Sequence, residues 1–155
     1  MEILEVATGK RLKVSVTPVM EDDFEQITPE RYFFDWKKER KTAELFKLTL
    51  EGEDDILGLI ALLDFPKECR IQIQLICVSL ENKGKAKKYD DFAGCLITFV
   101  CLEALDRYLR DACISLQPKT ELRGHYISKY SMLDAGSQLY LDGPGLNLLV
   151  KQFAS

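Results

Sequence analysis

Residues 71–109 read IQIQLICVSL, then ENKGKAKKYDD, then FAGCLITFVCLEALDRYL. Ile71, Ile73 and Leu75 alternate with Gln72 and Gln74, which is the period of a strand with one buried face. From Phe92 the apolar residues Phe92, Cys95, Leu96, Phe99, Leu102, Leu105 and Leu109 recur at three- and four-residue steps, which predicts a long helix to about Asp111 packed on a sheet. Between them lies a basic loop with Gly84 and the lysines Lys83, Lys85, Lys87 and Lys88. A strand, a glycine-containing basic loop and a helix together make an anion cradle. Loop N–H groups and the positive end of the helix dipole converge where a phosphate can sit.

The segments on either side extend this unit. Ile3–Val6 and Leu12–Val19 read as strands joined by a turn at Thr8–Gly9, Thr42–Leu50 and Ile56–Leu63 as two more, and Arg70–Val78 as the next. Ile56–Leu63 is almost wholly apolar, which predicts a central strand covered on both faces. The three strands from Thr42 to Val78 have short turns and form an antiparallel meander. Cys113–Leu116 follows the long helix, so it pairs parallel to Arg70–Val78 by a right-handed crossover. A helix over Glu121–Tyr130, a strand over Ser137–Leu141, a Gly143-Pro144-Gly145 break and a helix over Leu146–Phe153 complete the chain. The fold class is a mixed α/β sheet, mostly antiparallel with one parallel pair, flanked by helices. In such a sheet ligands bind at strand ends where direction changes, so the slot belongs between the end of Arg70–Val78 and Cys113–Leu116. Short helices over Glu21–Ile27 and from Pro29 lead to Tyr32, Phe33, Phe34 and Trp36, either a packed flap or the wall of a binding site.

Composition narrows the function. The 155 residues suit one domain, over 1–155, with a core of its own. A net charge of −4 argues against a nucleic-acid binder, and the lysine cluster within an acidic chain favours a small anionic ligand. No leader peptide and no run long enough to span a bilayer is seen. Cys69, Cys77, Cys95, Cys101 and Cys113 lack paired spacing and read as reduced core residues of a cytoplasmic protein. With no CxxC and one histidine, no metal site is expected.

With these elements in order, the chain resembles the GNAT superfamily of acyl-CoA N-acyltransferases from about Leu12 to Leu141. The family's pyrophosphate motif is Gln or Arg, two residues, Gly, one residue, then Gly or Ala. It is matched by Glu81-Asn82-Lys83-Gly84-Lys85-Ala86, with Glu in the first position. His125-Tyr126-Ile127-Ser128-Lys129-Tyr130-Ser131-Met132 is similar to the family's Tyr-x-x-x-Gly-Phe signature, one residue longer. Lys87-Lys88-Tyr89-Asp90-Asp91 looks like an insertion before the helix, Lys119 stands where the family often has Asn, and the terminal helix stands where the family often has a closing hairpin.

The resemblance implies an N-acetyltransferase that moves the acetyl group of acetyl-CoA to an amine by direct attack. Asn82, Lys83, Gly84, Lys85, Ala86, Lys87, Lys88 and Lys119 would hold the diphosphate, and main-chain groups at Cys77 and Val78 the pantetheine arm and thioester. Tyr126 would protonate the leaving thiolate, with Tyr130 as competitor. Glu68, Asp64, His125 or a water chain could be the base. Cys77 as an acyl-carrying nucleophile lacks a His or Asp partner and reads as a buried thiol. Glu21, Asp22 and Asp23 would suit a cationic amine. Acetyl-CoA and an amine are the implied partners, a homodimer is compatible, and neither nucleic acid nor membrane is implied. Two other readings stay open: a catalytically idle module of the same fold that binds CoA or a protein, and a nucleic-acid binder acting through KGKAKK.

Overall fold

A computed structural model describes residues 1–118 and 123–154. Among the described residues nine strands form a single sheet, with β1 (Glu2–Glu5), β2 (Arg11–Pro18), β3 (Glu44–Leu50), β4 (Ile56–Phe65) and β5 (Arg70–Val78) arranged in sequence order. Outside β1 lies β6 (Tyr89–Asp90); beyond β5 come β7 (Cys113–Leu116), β9 (Gln138–Asp142) and β8 (Leu133–Ala135). All pairings are antiparallel except β5 with β7. The expected meander and parallel crossover are therefore both present, and the fold class is as read from the sequence.

The apolar run of β4 is covered on both faces. Leu57, Ile60 and Leu62 join the core beneath helix α3 (Phe92–Tyr108), while Ile56, Leu59 and Ala61 join a second core with Tyr32 and Trp36. That second core sits under two four-residue helices, α1 (Pro29–Tyr32) and α2 (Trp36–Glu39). Thr28 caps α1 by accepting from Arg31 N–H, and Asp35 caps α2 by accepting from Lys38 N–H. The Tyr32 hydroxyl donates to Ile56 O at 2.7 Å, and Trp36 Nε1 donates to Tyr32 O at 3.0 Å. The aromatic run thus does two jobs. Tyr32 and Trp36 are buried, whereas Phe33 and Phe34 stay partly exposed.

Three elements differ from the sequence reading. First, α3 buries more than one stripe: Ile97, Val100, Cys101 and Ala104 are fully buried, while Leu102 and Leu109 face solvent. The reason is that helix α5 (Gly143–Phe153) packs beside α3, with Leu146 and Leu149 joining the same core. At Gly94 a side chain would begin 2.5 Å from the Phe153 ring, so the two helices approach as closely as they do because that position is glycine. Second, Lys87–Asp91 is not a bare insertion. Its end forms β6, paired with β1 at Leu4–Asp90 and Glu5–Tyr89. Third, a closing hairpin is present in addition to the terminal helix. β8 and β9 are joined through Gly136 at φ +78, whose N–H is taken by Asp134 Oδ1 at 2.9 Å. Helix α4 (Arg123–Tyr130) is described from Arg123, and the expected helix start at Glu121 lies outside the described residues.

Candidate active site

Strand β5 changes character halfway along. Residues 70–73 pair with β4 on one side and with β7 on the other, up to the Ile73–Leu116 pair. At Gln74 the register with β4 steps: Leu75 faces Ala61 and Ile73 faces Leu62, so Gln74 is an extra residue. Such a bulge bends a strand and re-aims the residues beyond it. There β7 has ended, and Gln74–Val78 presents an edge that no strand among the described residues covers.

A cavity of about 510 Å³ opens along that edge. Its floor is the chain from Ile73 to Val78, one wall is Leu116, Gln117, Pro118 and Tyr126, and the other is Phe33, Phe34 and Lys83. The slot expected between β5 and β7 therefore exists, and its cause is a bulge that carries no composition signal.

Of the residues singled out in the sequence, Cys77, Val78, Lys83 and Tyr126 line this cavity together. Burial pushes the Tyr126 phenol above its ordinary range. Tyr130 is buried in the core beside the Phe153 ring, with centroids 6.3 Å apart, and does not line the cavity. The His125 ring is exposed and stands edge-on to Tyr126 at 5.9 Å. Burial raises the Cys77 thiol to about 12, so it stays protonated at neutral pH and makes a poor nucleophile.

The carboxylates do not join them. Glu68 lies in the turn before β5, where Arg70 Nη2 donates to it at 2.9 Å. From Arg70 to Cys77 the strand covers seven steps of roughly 3.3 Å, so Glu68 stands at the far end of β5 from Cys77. Asp64 is engaged by the Tyr108 hydroxyl and by Arg107 at 3.2 Å. Glu21 is paired with Arg40 at 2.7 Å and Asp23 with Lys47 at 2.7 Å, and neither they nor Asp22 line the cavity.

The basic loop leaves β5 through a single turn, Leu80–Asn82, stabilised by Asn82 N–H donating to Ser79 O and Lys83 N–H to Leu80 O. Asn82 is buried and its Nδ2 donates to Ser79 Oγ at 2.9 Å. Glu81 turns toward α1, where Arg31 Nε and Nη2 donate to it at 3.1 and 2.5 Å; that bond holds its carboxyl below the usual range. The negative charge of Glu81 at the head of the basic loop is thereby neutralised, a partnership 50 residues apart that the sequence does not reveal.

Gly84 comes next with φ +89, a conformation that suits glycine, and nothing lies within 4 Å of where its side chain would be. Among the described residues, the N–H groups of Gly84, Lys85 and Ala86 have no acceptor. Lys83 Nζ lies 4.5 Å over the Phe33 ring, and Lys85 is exposed. Lys87 pairs with Asp90 at 3.0 Å, and Lys88 accepts Val6 N–H through its carbonyl. Lys119 lies outside the described residues. The segment before the helix is more ordered than a bare insertion. Strand β6 intervenes, and α3 starts at Phe92 as expected, preceded by Asp91, itself left-handed at φ 76 and bonded by Arg11 at 2.9 Å.

No protein-family model matches the chain, and no curated protein does so either. Solved structures do match. The spermidine N-acetyltransferase of Vibrio cholerae in complex with CoA and spermine superposes with a TM-score of 0.65 at 14% identity, covering 86% of this chain and 98% of that one. A GNAT family acetyltransferase of Elizabethkingia anophelis with acetyl-CoA bound gives 0.61 at 12% identity, covering 84% and 98%. A dodecameric form of the Vibrio cholerae enzyme gives 0.58 at 13% identity, covering 90% and 96%. The chain therefore has the GNAT fold over most of its length.

Proposed function

We propose that this GNAT-fold chain is an N-acetyltransferase that moves the acetyl group of acetyl-CoA to an amine by direct attack in a ternary complex. The observation that carries this reading is the uncovered edge of Gln74–Val78, opening into a cavity that holds Tyr126 and lies beside the loop at Gly84. The neighbours with CoA or acetyl-CoA bound support it.

The chain's own groups fit such a donor. A strand edge without a partner offers main-chain amides to the extended, amide-containing pantetheine arm at Cys77 and Val78. The free N–H groups of Gly84, Lys85 and Ala86, with the mobile charge of Lys83 and Lys85, suit a diphosphate. When bound, acetyl-CoA supplies an activated acyl carbon on a good leaving group. The amine nitrogen bonds to that carbon, the carbon–sulfur bond breaks, the amine gives up a proton and the thiolate takes one. Tyr126 is the donor of that second proton, because its raised pKa keeps the phenol protonated through neutral pH. Among the described residues no carboxylate or imidazole lines the cavity, so the amine's proton leaves through water. Unpaired Cys69, Cys77, Cys95, Cys101 and Cys113 suit a reducing, cytoplasmic setting.

The same lack of a lining base favours the alternative, a catalytically idle module that keeps the CoA site. One pair of measurements separates the two. Acetyl-CoA raises the melting temperature under both readings, since it binds the native state alone. Release of free CoA with an amine present occurs only under the first. If acetyl-CoA leaves the melting temperature unchanged, both readings fail.

A further inference from the structure

Phe33 occupies a position that a large residue should avoid. It ends α1 in the left-handed region, at φ 74, its N–H bonded to Pro29 O at 2.7 Å. Glycine or asparagine normally takes that place, because a side chain is strained there. The strain is not repaid by burial: Phe33 is 36% exposed, whereas its neighbours Tyr32 and Trp36 are buried to within 1%. Its ring instead faces the cavity together with Phe34, with Lys83 Nζ over it. Strain kept at a bulky exposed residue beside a cavity marks a functional constraint.

The electrostatics of this wall are equally specific. Among the described residues that line the cavity, Lys83 is the charged one. Of the acidic residues expected to receive a cationic amine, Glu21 is paired with Arg40 and Asp23 with Lys47, and neither they nor Asp22 line the cavity; Glu81, nearby, is paired with Arg31. A chain carrying several ammonium groups would meet the like charge of Lys83 with no lining carboxylate, among the described residues, to offset it. A single amine on a flat apolar carrier would stack on those faces and leave Lys83 alone.

We propose that Phe33 and Phe34 form the acceptor-binding wall, and that the acceptor is an amine on an aromatic carrier rather than a polyamine. This rests on the transferase reading above and names the substrate class of the same site.

The test compares 2-phenylethylamine with spermidine at saturating acetyl-CoA, in the wild type, Phe33→Gly and Phe33→Asn, measuring CoA release and melting temperature. The expected result is a kcat/KM at least tenfold higher for 2-phenylethylamine, a preference that falls at least fivefold in both variants. Their melting temperatures stay equal or rise, because glycine and asparagine accept the left-handed backbone. A ring that merely supports the fold would instead lower the melting temperature. A preference for spermidine overturns the proposal, as does an unchanged preference in the variants. The transferase reading is what fails if a protein that acetyl-CoA stabilises turns over neither amine, or if acetyl-CoA does not stabilise the wild type. Saturation-transfer NMR with 2-phenylethylamine then decides the wall: binding that Phe33→Gly abolishes upholds it, and no binding overturns it.

Discussion

The two halves of strand β5 share one sequence pattern and lead opposite lives. Arg70–Ile73 is paired on both sides, with Ile71 and Ile73 buried. Gln74–Val78 is paired on one side, and its other edge lines a cavity. Isoleucine and glutamine occur in both halves, so composition does not divide them. What divides them is one extra residue at Gln74 and the end of β7 at Leu116. A strand is structural where its hydrogen bonds are spent on neighbouring strands, and available for a ligand where they are not.

The difference should be largest in stability. Ile71→Ala, in the paired half, is expected to cost about 2–5 kcal/mol, as for other fully buried aliphatic truncations. Leu75→Ala, in the half-buried open part, should cost about 1 kcal/mol, because the lost methyls already border open space. Urea unfolding of both variants measures this, and equal losses would show that the open half is as integral as the paired one. Next comes ligand binding. Gly84→Glu should abolish the acetyl-CoA melting shift, since it puts a carboxylate and a strained backbone where the anion loop is open, while Ile71→Ala keeps the shift. A shift that survives in Gly84→Glu removes this loop from the site.

Turnover ranks third. Tyr126→Phe should bind acetyl-CoA as the wild type does and lose activity by about 10²-fold. Burial raises the Tyr126 phenol above its ordinary value of 10.0, so the alkaline fall of wild-type turnover should begin above pH 10. Unimpaired turnover in the variant would return the proton donor to solvent.

The last comparison is alkaline stability. Burial raises the thiols of Cys77 and Cys101 from 9.0 to about 12. Unfolded, they release protons from about pH 9, whereas folded they hold them to about pH 12. The native state then binds more protons and stability falls as pH rises through that window. Cys77→Ala, in the open half, and Cys101→Ala, in α3, should each remove part of the slope. A flat profile between pH 9 and 12 in the wild type would contradict the burial of both.

Much of this was legible in the sequence because it arises from periodicity. Ile56–Leu63 announces a strand covered on both faces, and the steps from Phe92 announce α3. The splay was legible from topology, since a helix between Val78 and Cys113 forces a parallel pair at the edge of a meander. The bulge at Gln74 was not, because register depends on the partner strand. Nor was the Arg31–Glu81 pair, which joins residues that only the fold makes neighbours. The hairpin at Leu133–Asp142 had a signal in Asp134-Ala135-Gly136, but its β8 strand is three exposed residues with no buried face to give a period. Strand β6, two residues long, is below any periodic signal.

That two-residue strand has a reach beyond its size. By lacing Tyr89–Asp90 and the Lys88 carbonyl to Leu4, Glu5 and Val6, it anchors the far side of the lysine-bearing turn to a strand some eighty positions upstream. Trimming Met1 to Val6 would therefore slacken a segment some eighty positions downstream.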